Sequence, residues 1–160
     1  KLVGGDLTPG EVDLLKEKVT EYGLENIVQL IAPVYGDEKI NVLQNADIFL
    51  YPSYHEGMPM AVLEAMACGL PIVATRVGGL PELILDAENG FLLEPGKPDQ
   101  IAQALIQLEK NSALREAMQK KSYEIVCNCF NIETHAARLV QIYATLCAVS
   151  QQPPVEISSL

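Results

Sequence analysis

The sequence predicts an α/β fold in which a parallel sheet is covered by helices on both faces. Two observations lead there. Short apolar runs bounded by Gly and Pro alternate with stretches of helical periodicity along the chain. The runs Asp47–Tyr51 (DIFLY) and Ile72–Thr75 (IVAT) are close to continuously apolar, as strands buried on both faces are. With 160 residues, 49% of them hydrophobic and 20% charged, the chain can bury a real core as one domain.

The elements follow in order. Lys1–Gly5 reads as the end of a strand, so the chain is expected to open in mid-fold. Thr8 starts a helix, with Pro9 at its first position and Glu11 completing a capping box. Val12, Leu15, Val19 and Tyr22 form its apolar stripe, and Gly23 stops it. Ile27–Ile31 is a short β-rich run, Ala32–Asp37 a loop and Glu38–Asn45 a short helix. Asp47–Tyr51 is a buried strand ended by Pro52. Met60–Cys68 is a helix stopped by Gly69, with Pro71 beyond it. After the strand Ile72–Thr75, Gly78-Gly79 makes a turn and Pro81 begins a brief helix. Asn89-Gly90 turns into the strand Phe91–Leu93. Helices over Pro98–Lys110, Ser112–Asn128 and Ile132–Ser150 complete the fold. The tail after residue 149, with Pro153-Pro154, is expected to be flexible.

The formal net charge of −10 argues against a nucleic-acid surface, which needs clustered Lys and Arg, and against attachment of this segment to anionic lipid. Its acidity is a matter of solubility. No apolar run approaches the length of a membrane span, Glu64 interrupts the best stretch, and no secretory leader is recognisable. The four cysteines are Cys68, Cys127, Cys129 and Cys147. Cys127 and Cys129 are too close for a relaxed disulfide within a helix, and with His135 they match no standard zinc spacing. Reduced thiols in a cytoplasmic protein are the simpler account, and no metal is expected.

The most informative segment is Ser53–Pro81, SYHEGMPMAVLEAMACGLPIVATRVGGLP. In a parallel sheet, ligands sit beyond the carboxyl ends of the strands, and Tyr51-Pro52-Ser53 and Thr75-Arg76 are such ends. Gly57 lets the backbone approach a ligand closely. Pro59 suits the first turn of a helix, and the N–H groups of Met60 and Ala61 then point out of the helix start, where an anion is favoured. Glu64, about a turn further on, can face the same cleft and accept two bonds from a ribose diol. Glu56, before the turn, reaches the opposite end of the ligand. An amide rim flanked by carboxylates suits a molecule that is part phosphate and part sugar.

Taken singly, each of these residues has a plainer reading. A Glu on a helix is usually a solvated charge, and Gly-x-Pro before a helix is usually a turn. Gly78 and Gly79 either line the cleft or form a tight turn. His55 either touches the ligand or is an exposed loop residue. Arg76, read as the only cation near the cleft, either helps a phosphate or makes a surface ion pair. Met58, Met60 and Met66 read as packing, His135 as structural or exposed, and the remaining acidic residues as solvated faces.

As a whole, the EGMPMAVLEAMACGLPIVATRVGGLPELI stretch, with Glu56, seven residues, then Glu64, resembles the donor-site signature of the family 4 retaining glycosyltransferases. Softer similarity extends from Leu2 to Leu146, through Asn89-Gly90-Phe91-Leu92, Phe130 and Leu139–Tyr143. The resemblance implies a GT-B architecture, in which two Rossmann-like domains face each other across a cleft and the C-terminal one, a three-layer parallel-sheet domain, binds the nucleotide-sugar. It implies that Glu56 contacts the sugar hydroxyls as the catalytic-site carboxylate. Amides from Gly57 and Met58 to Met60 and Ala61 would serve sugar and phosphates, and Glu64 would hold the ribose. Val34, Ser53, His55, Gly78 and Gly79 are weaker candidates.

On that resemblance residues 1–149 form a partial donor-binding domain lacking its first strand–helix unit. The nucleoside diphosphate sugar is a substrate, no cofactor or metal is needed, and the partner is an acceptor-binding N-terminal domain of the same longer chain. The location is cytoplasmic, or the inner membrane face through that other domain. Three departures stand out. Pro59 replaces a Gly that many relatives carry, Ala32-Pro33 precedes Val34 where a Gly is common, and the basic pair that grips the diphosphate would lie upstream of Lys1. A non-catalytic nucleotide-sugar binder and a purely structural relative are the alternatives.

Overall fold

The structure, a computed structural model, describes residues 1–5 and 9–150, with side chains up to residue 147. The expected cap at Thr8 and the tail at 151–160 lie outside the described residues. The chain divides into two compact units, residues 1–46 and 47–160.

In the first unit, β1 (Leu2–Val3) pairs in parallel with β2 (Leu30–Ile31), Leu2 opposite Leu30. Between them runs α1 (Glu11–Glu21), and α2 (Gly36–Gln44) follows β2. The helix α1 does not begin at Pro9. Gly10, at φ 97°, takes the left-handed backbone just before the first turn, so Pro9 belongs to a preceding turn. The strand expected over Ile27–Ile31 is shortened because Ile27 and Val28 still donate to the Leu24 carbonyl in a turn that follows α1.

The second unit is a three-stranded parallel sheet of β3 (Phe49–Tyr51), β4 (Ile72–Thr75) and β5 (Gly90–Leu93), in the order β3-β4-β5. Tyr51 lies opposite Ala74, and Thr75 opposite Leu93, so the three strands end together. The connections carry α3 (Met60–Ala67) and the single-turn α4 (Leu80–Leu83). After β5 come α5 (Pro98–Lys110), α6 (Ser112–Cys129) and α7 (Ile132–Ser150). Among the described residues no helix is long and apolar enough to cross a membrane.

Every residue of β4 is buried, as its continuous apolar character predicts. Val73 packs with Ala104 and Leu108 of α5 and Met118 of α6, flanked by Phe91 and Leu93. By strand alternation Ile72 and Ala74 face the other way and are as fully buried, so β4 is covered on both sides. The strand β3 is shorter and more open than expected: it begins at Phe49, and Leu50 is exposed. Among the described residues of this unit its hydrogen-bonded neighbour is β4, whereas β4 has one on each side.

Asn89, expected merely to turn the chain, is a buried tie. Its Oδ1 accepts from the Leu85 N–H at 2.7 Å, and its Nδ2 donates to the Leu83 carbonyl at 3.2 Å. Its own carbonyl accepts from the Ser122 hydroxyl of α6 and from the Ile72 N–H at the start of β4, each at 3.2 Å. Asp86, read as a solvated acid, likewise accepts from the Leu92 N–H at 3.0 Å and steadies β5. Asn89→Ala would leave the Leu85 donor and the Leu83 acceptor unpaired. It is expected to lower unfolding free energy by about 2–3 kcal/mol in urea titration; a loss under about 0.5 kcal/mol would show that these bonds do not hold the turn.

Candidate functional site

Two loops leave the carboxyl ends of neighbouring strands: Pro52–Met58 from β3 and Arg76–Gly79 from β4. They are fastened together at three places. The Thr75 hydroxyl donates to the Ser53 carbonyl. The Gly79 N–H donates to the Gly57 carbonyl at 2.7 Å. Gly78, at φ 51°, brings its α-carbon so close to the first loop that a β-carbon there would stand 1.9 Å from the Glu56 carbonyl oxygen. At Gly79 a β-carbon would meet the Gly57 oxygen at 2.7 Å and the Met58 methyl at 3.2 Å. The Gly-Gly pair is therefore neither a free tight turn nor an isolated cleft wall: it is the seat on which the Glu56–Met58 backbone rests.

Within the first loop, the Ser53 hydroxyl donates to the His55 carbonyl at 3.1 Å and closes a local turn. His55 is exposed. Glu56 is half-buried. Partial burial first, then the neighbouring Glu56 carboxylate, pushes the Tyr51 ionisation up to about 12.

The helix start is also set by this loop. Pro59 is buried and extended, and it sits at the N-cap, one position earlier than expected. Its carbonyl accepts from Val62 at 3.1 Å and Leu63 at 3.4 Å. Met60 and Ala61 precede that ladder, so their N–H groups are the ones the helix does not use. The face of α3 carrying Val62, Ala65 and Met66 is buried. Met60 and Glu64, four residues apart, share the other stripe, Met60 exposed and Glu64 half-buried. Glu64 lies beside Cys68, whose thiol ionisation is raised by burial and, secondarily, by the Glu64 charge.

The structure thus joins Ser53, Glu56, Gly57, Met58, Gly78 and Gly79 in one fastened pair of loops, and sets Met60, Ala61 and Glu64 along the helix that leaves it. Val34 is half-buried in the loop between β2 and α2 of the first unit. The packing reading of the methionines holds for Met66, which is fully buried; Met60 is exposed because it falls off the buried face of α3, and Met58, in the loop before that helix, is exposed with its methyl beside Gly79. Arg76 makes a surface ion pair with Glu94 at 3.7 Å, and His135 is exposed on α7.

Sequence reading missed Tyr54 and Lys97. These line a cavity of about 210 Å³ with Pro52, Thr75, Gly96, Pro98 and Ile101 at the same end of the sheet. Arg76 is accordingly not the only cation near the strand ends. Lys97 could have been found from its place just after β5, at the N-cap of α5.

The glycosyl transferases group 1 family matches residues 2–125 of the chain. Its parallel α/β architecture matches solved GT-B glycosyltransferases. Sucrose-phosphate synthase from Thermosynechococcus elongatus superposes with a TM-score of 0.81 at 29% identity, over 92% of this chain and 38% of that one. An Anabaena protein, HepE, solved in complex with UDP-glucose, superposes with a TM-score of 0.80 at 26% identity, over 90% of this chain and 40% of that one. In sequence, the D-inositol 3-phosphate glycosyltransferase of Corynebacterium urealyticum is 32% identical over 142 residues, 89% of this chain and 33% of that protein. The chain belongs to the glycosyl transferases group 1 family. It spans about a third of the length of such curated relatives.

Gly78→Ala places a side-chain atom where the Glu56 carbonyl lies, and the two loops must part. Overpacking of this kind costs about 1–3 kcal/mol. The expected result is a loss of that size in urea unfolding, with backbone amide shifts changing most at Ser53–Met58 in NMR spectra. Unchanged shifts in that loop would mean that Gly78 does not seat it.

Proposed function

We propose that this chain binds a nucleoside diphosphate sugar at the start of α3 and, within a longer protein, forms the donor half of a retaining hexosyltransferase. On this reading residues 1–149 make up most of a donor-binding domain, and the acceptor is held by another domain of the same protein. The observation that carries the reading is the pair of unused amides at Met60 and Ala61, with Glu56 before them and Glu64 one turn beyond, in a chain related to a protein solved with UDP-glucose.

The roles follow from chemistry. The Met60 and Ala61 N–H groups, with those of Gly57 and Met58, meet the diphosphate and the sugar, and the positive end of the α3 dipole adds about 0.3–1 kcal/mol. Glu64 accepts from the ribose diol, and Glu56 from the sugar hydroxyls; a hydrogen bond to a charged group is worth roughly 1.5–3 kcal/mol. As the glycosidic bond to the diphosphate breaks, charge grows on the leaving oxygen. Fixed amide donors aimed at that oxygen stabilise it more than they stabilise the bound donor. Catalysis is then positioning and electrostatics, with the sugar delivered on the face it left.

Calorimetric titration with UDP-glucose tests this. The wild-type chain is expected to bind weakly, with Kd on the order of 0.1–1 mM. Glu64→Ala should weaken binding about tenfold or more, and Arg76→Ala, a surface pair, by less than about twofold. Equal binding by the Glu64→Ala protein would remove the ribose assignment, and no binding by wild type would remove the donor reading.

A further inference from the structure

We infer that Thr75, a buried residue of the central strand, is a positioning residue for Glu56: its hydroxyl sets the loop from which that carboxylate meets the donor sugar. The inference deepens the donor-binding reading above and rests on it.

Thr75 ends β4 and is 1% exposed. The other three residues of the strand are apolar. A hydroxyl buried there is costly without a partner, and the partner is the Ser53 carbonyl, 22 residues earlier at the root of the β3 loop. Thr75 is β-branched and belongs to a strand held on both edges, so its side chain has little freedom and the hydroxyl points one way. Its main chain turns the other loop. The Thr75 carbonyl accepts from the Val77 N–H at 3.0 Å, and the turn brings Gly78 round to the Glu56 carbonyl. One residue thus governs both loops, the first by its side chain and the second by its backbone.

The tie is passed on toward Glu56. The Ser53 hydroxyl donates to the His55 carbonyl at 3.1 Å and accepts from the His55 N–H at 3.4 Å, so it holds both backbone polar groups of that residue. Glu56 follows directly. On its far side the Gly57 carbonyl accepts from the Gly79 N–H at 2.7 Å. The Glu56 main chain is fixed from both directions, and its carboxylate starts from a set point. A slack loop would have to be ordered when a ligand arrives, at a cost in affinity; here that ordering is done in advance. The nucleotide end of the site does not need the Thr75 hydroxyl. Met60, Ala61 and Glu64 stand on α3, which is held by its own buried face of Val62, Ala65 and Met66.

The role predicts a split between ligands that contain the sugar and ligands that do not. In the full chain, Thr75→Val keeps the branched shape and removes the donor, while Thr75→Ser keeps the donor. NMR titration of Thr75→Val should find UDP-glucose binding weakened about tenfold and UDP binding changed by less than about twofold. Thr75→Ser should return both affinities to within about threefold of wild type. In a Glu56→Ala background, Thr75→Val should cause no further loss of UDP-glucose binding, since it acts through Glu56. Should Thr75→Val fail to fold, Ser53→Ala, in the loop itself, must show the same split. Equal weakening of the two ligands, an unchanged UDP-glucose affinity, additive losses in the double variant, or no recovery with serine would each overturn the proposal. Failure of the wild-type chain to bind either ligand would defeat the donor reading and the role with it. Wild-type binding without the split would defeat the role alone, so the two failures are told apart.

Discussion

The site rests on the seating of one strand-end loop upon another: the Gly79 N–H on the Gly57 carbonyl, with no β-carbon at Gly78 to keep the Glu56 carbonyl away. Adjacent parallel strands end at the same level, so their loops emerge side by side and compete for the same space. Two consecutive glycines resolve that competition in favour of contact. Once the loops touch, the direction of the chain through Met58 and Pro59 is set, and with it the axis of α3 and the aim of its first amides. Thr75 adds a second tie at the root of the loop.

The rigidity of this arrangement comes from beneath it. The strand β4 is buried along its whole length and is hydrogen-bonded on both edges, to β3 and to β5. Asn89 and Asp86 fix the entry into β5 by bonding backbone groups that would otherwise be buried without partners. A loop seated on such a strand inherits its order. Sites that work by fixed dipoles rather than by a nucleophile need this, because a donor that must reorganise as charge develops loses most of its advantage.

Most of the second unit was legible in the sequence because each of its elements is bounded by a strong local signal. Pro52 ends β3, Gly69 and Pro71 separate α3 from β4, and Pro98 opens α5. The first unit was less legible at its edges. Gly10 delays α1 past Pro9, and the turn at Leu24–Val28 consumes half of the run expected to be a strand. The sequence segment Glu56–Glu64 pointed to the amide rim, but it did not reveal why the rim holds still. The seat at Gly78 depends on the approach of two loops about 22 residues apart in sequence, and Lys97 on the alignment of three strand ends. Neither has a signature in local periodicity. The misreading of Asn89 has the same origin: an Asn-Gly pair marks a turn, while the burial of the Asn side chain depends on α6 arriving from over 30 residues away.

The most direct measurement is a crystal structure of the chain grown with UDP-glucose. The account predicts diphosphate oxygens about 3 Å from the Met60 and Ala61 nitrogens, the ribose hydroxyls on Glu64, and a sugar hydroxyl on Glu56. A nucleotide lodged instead in the cavity beside Tyr54 and Lys97, with the α3 amides untouched, would contradict it.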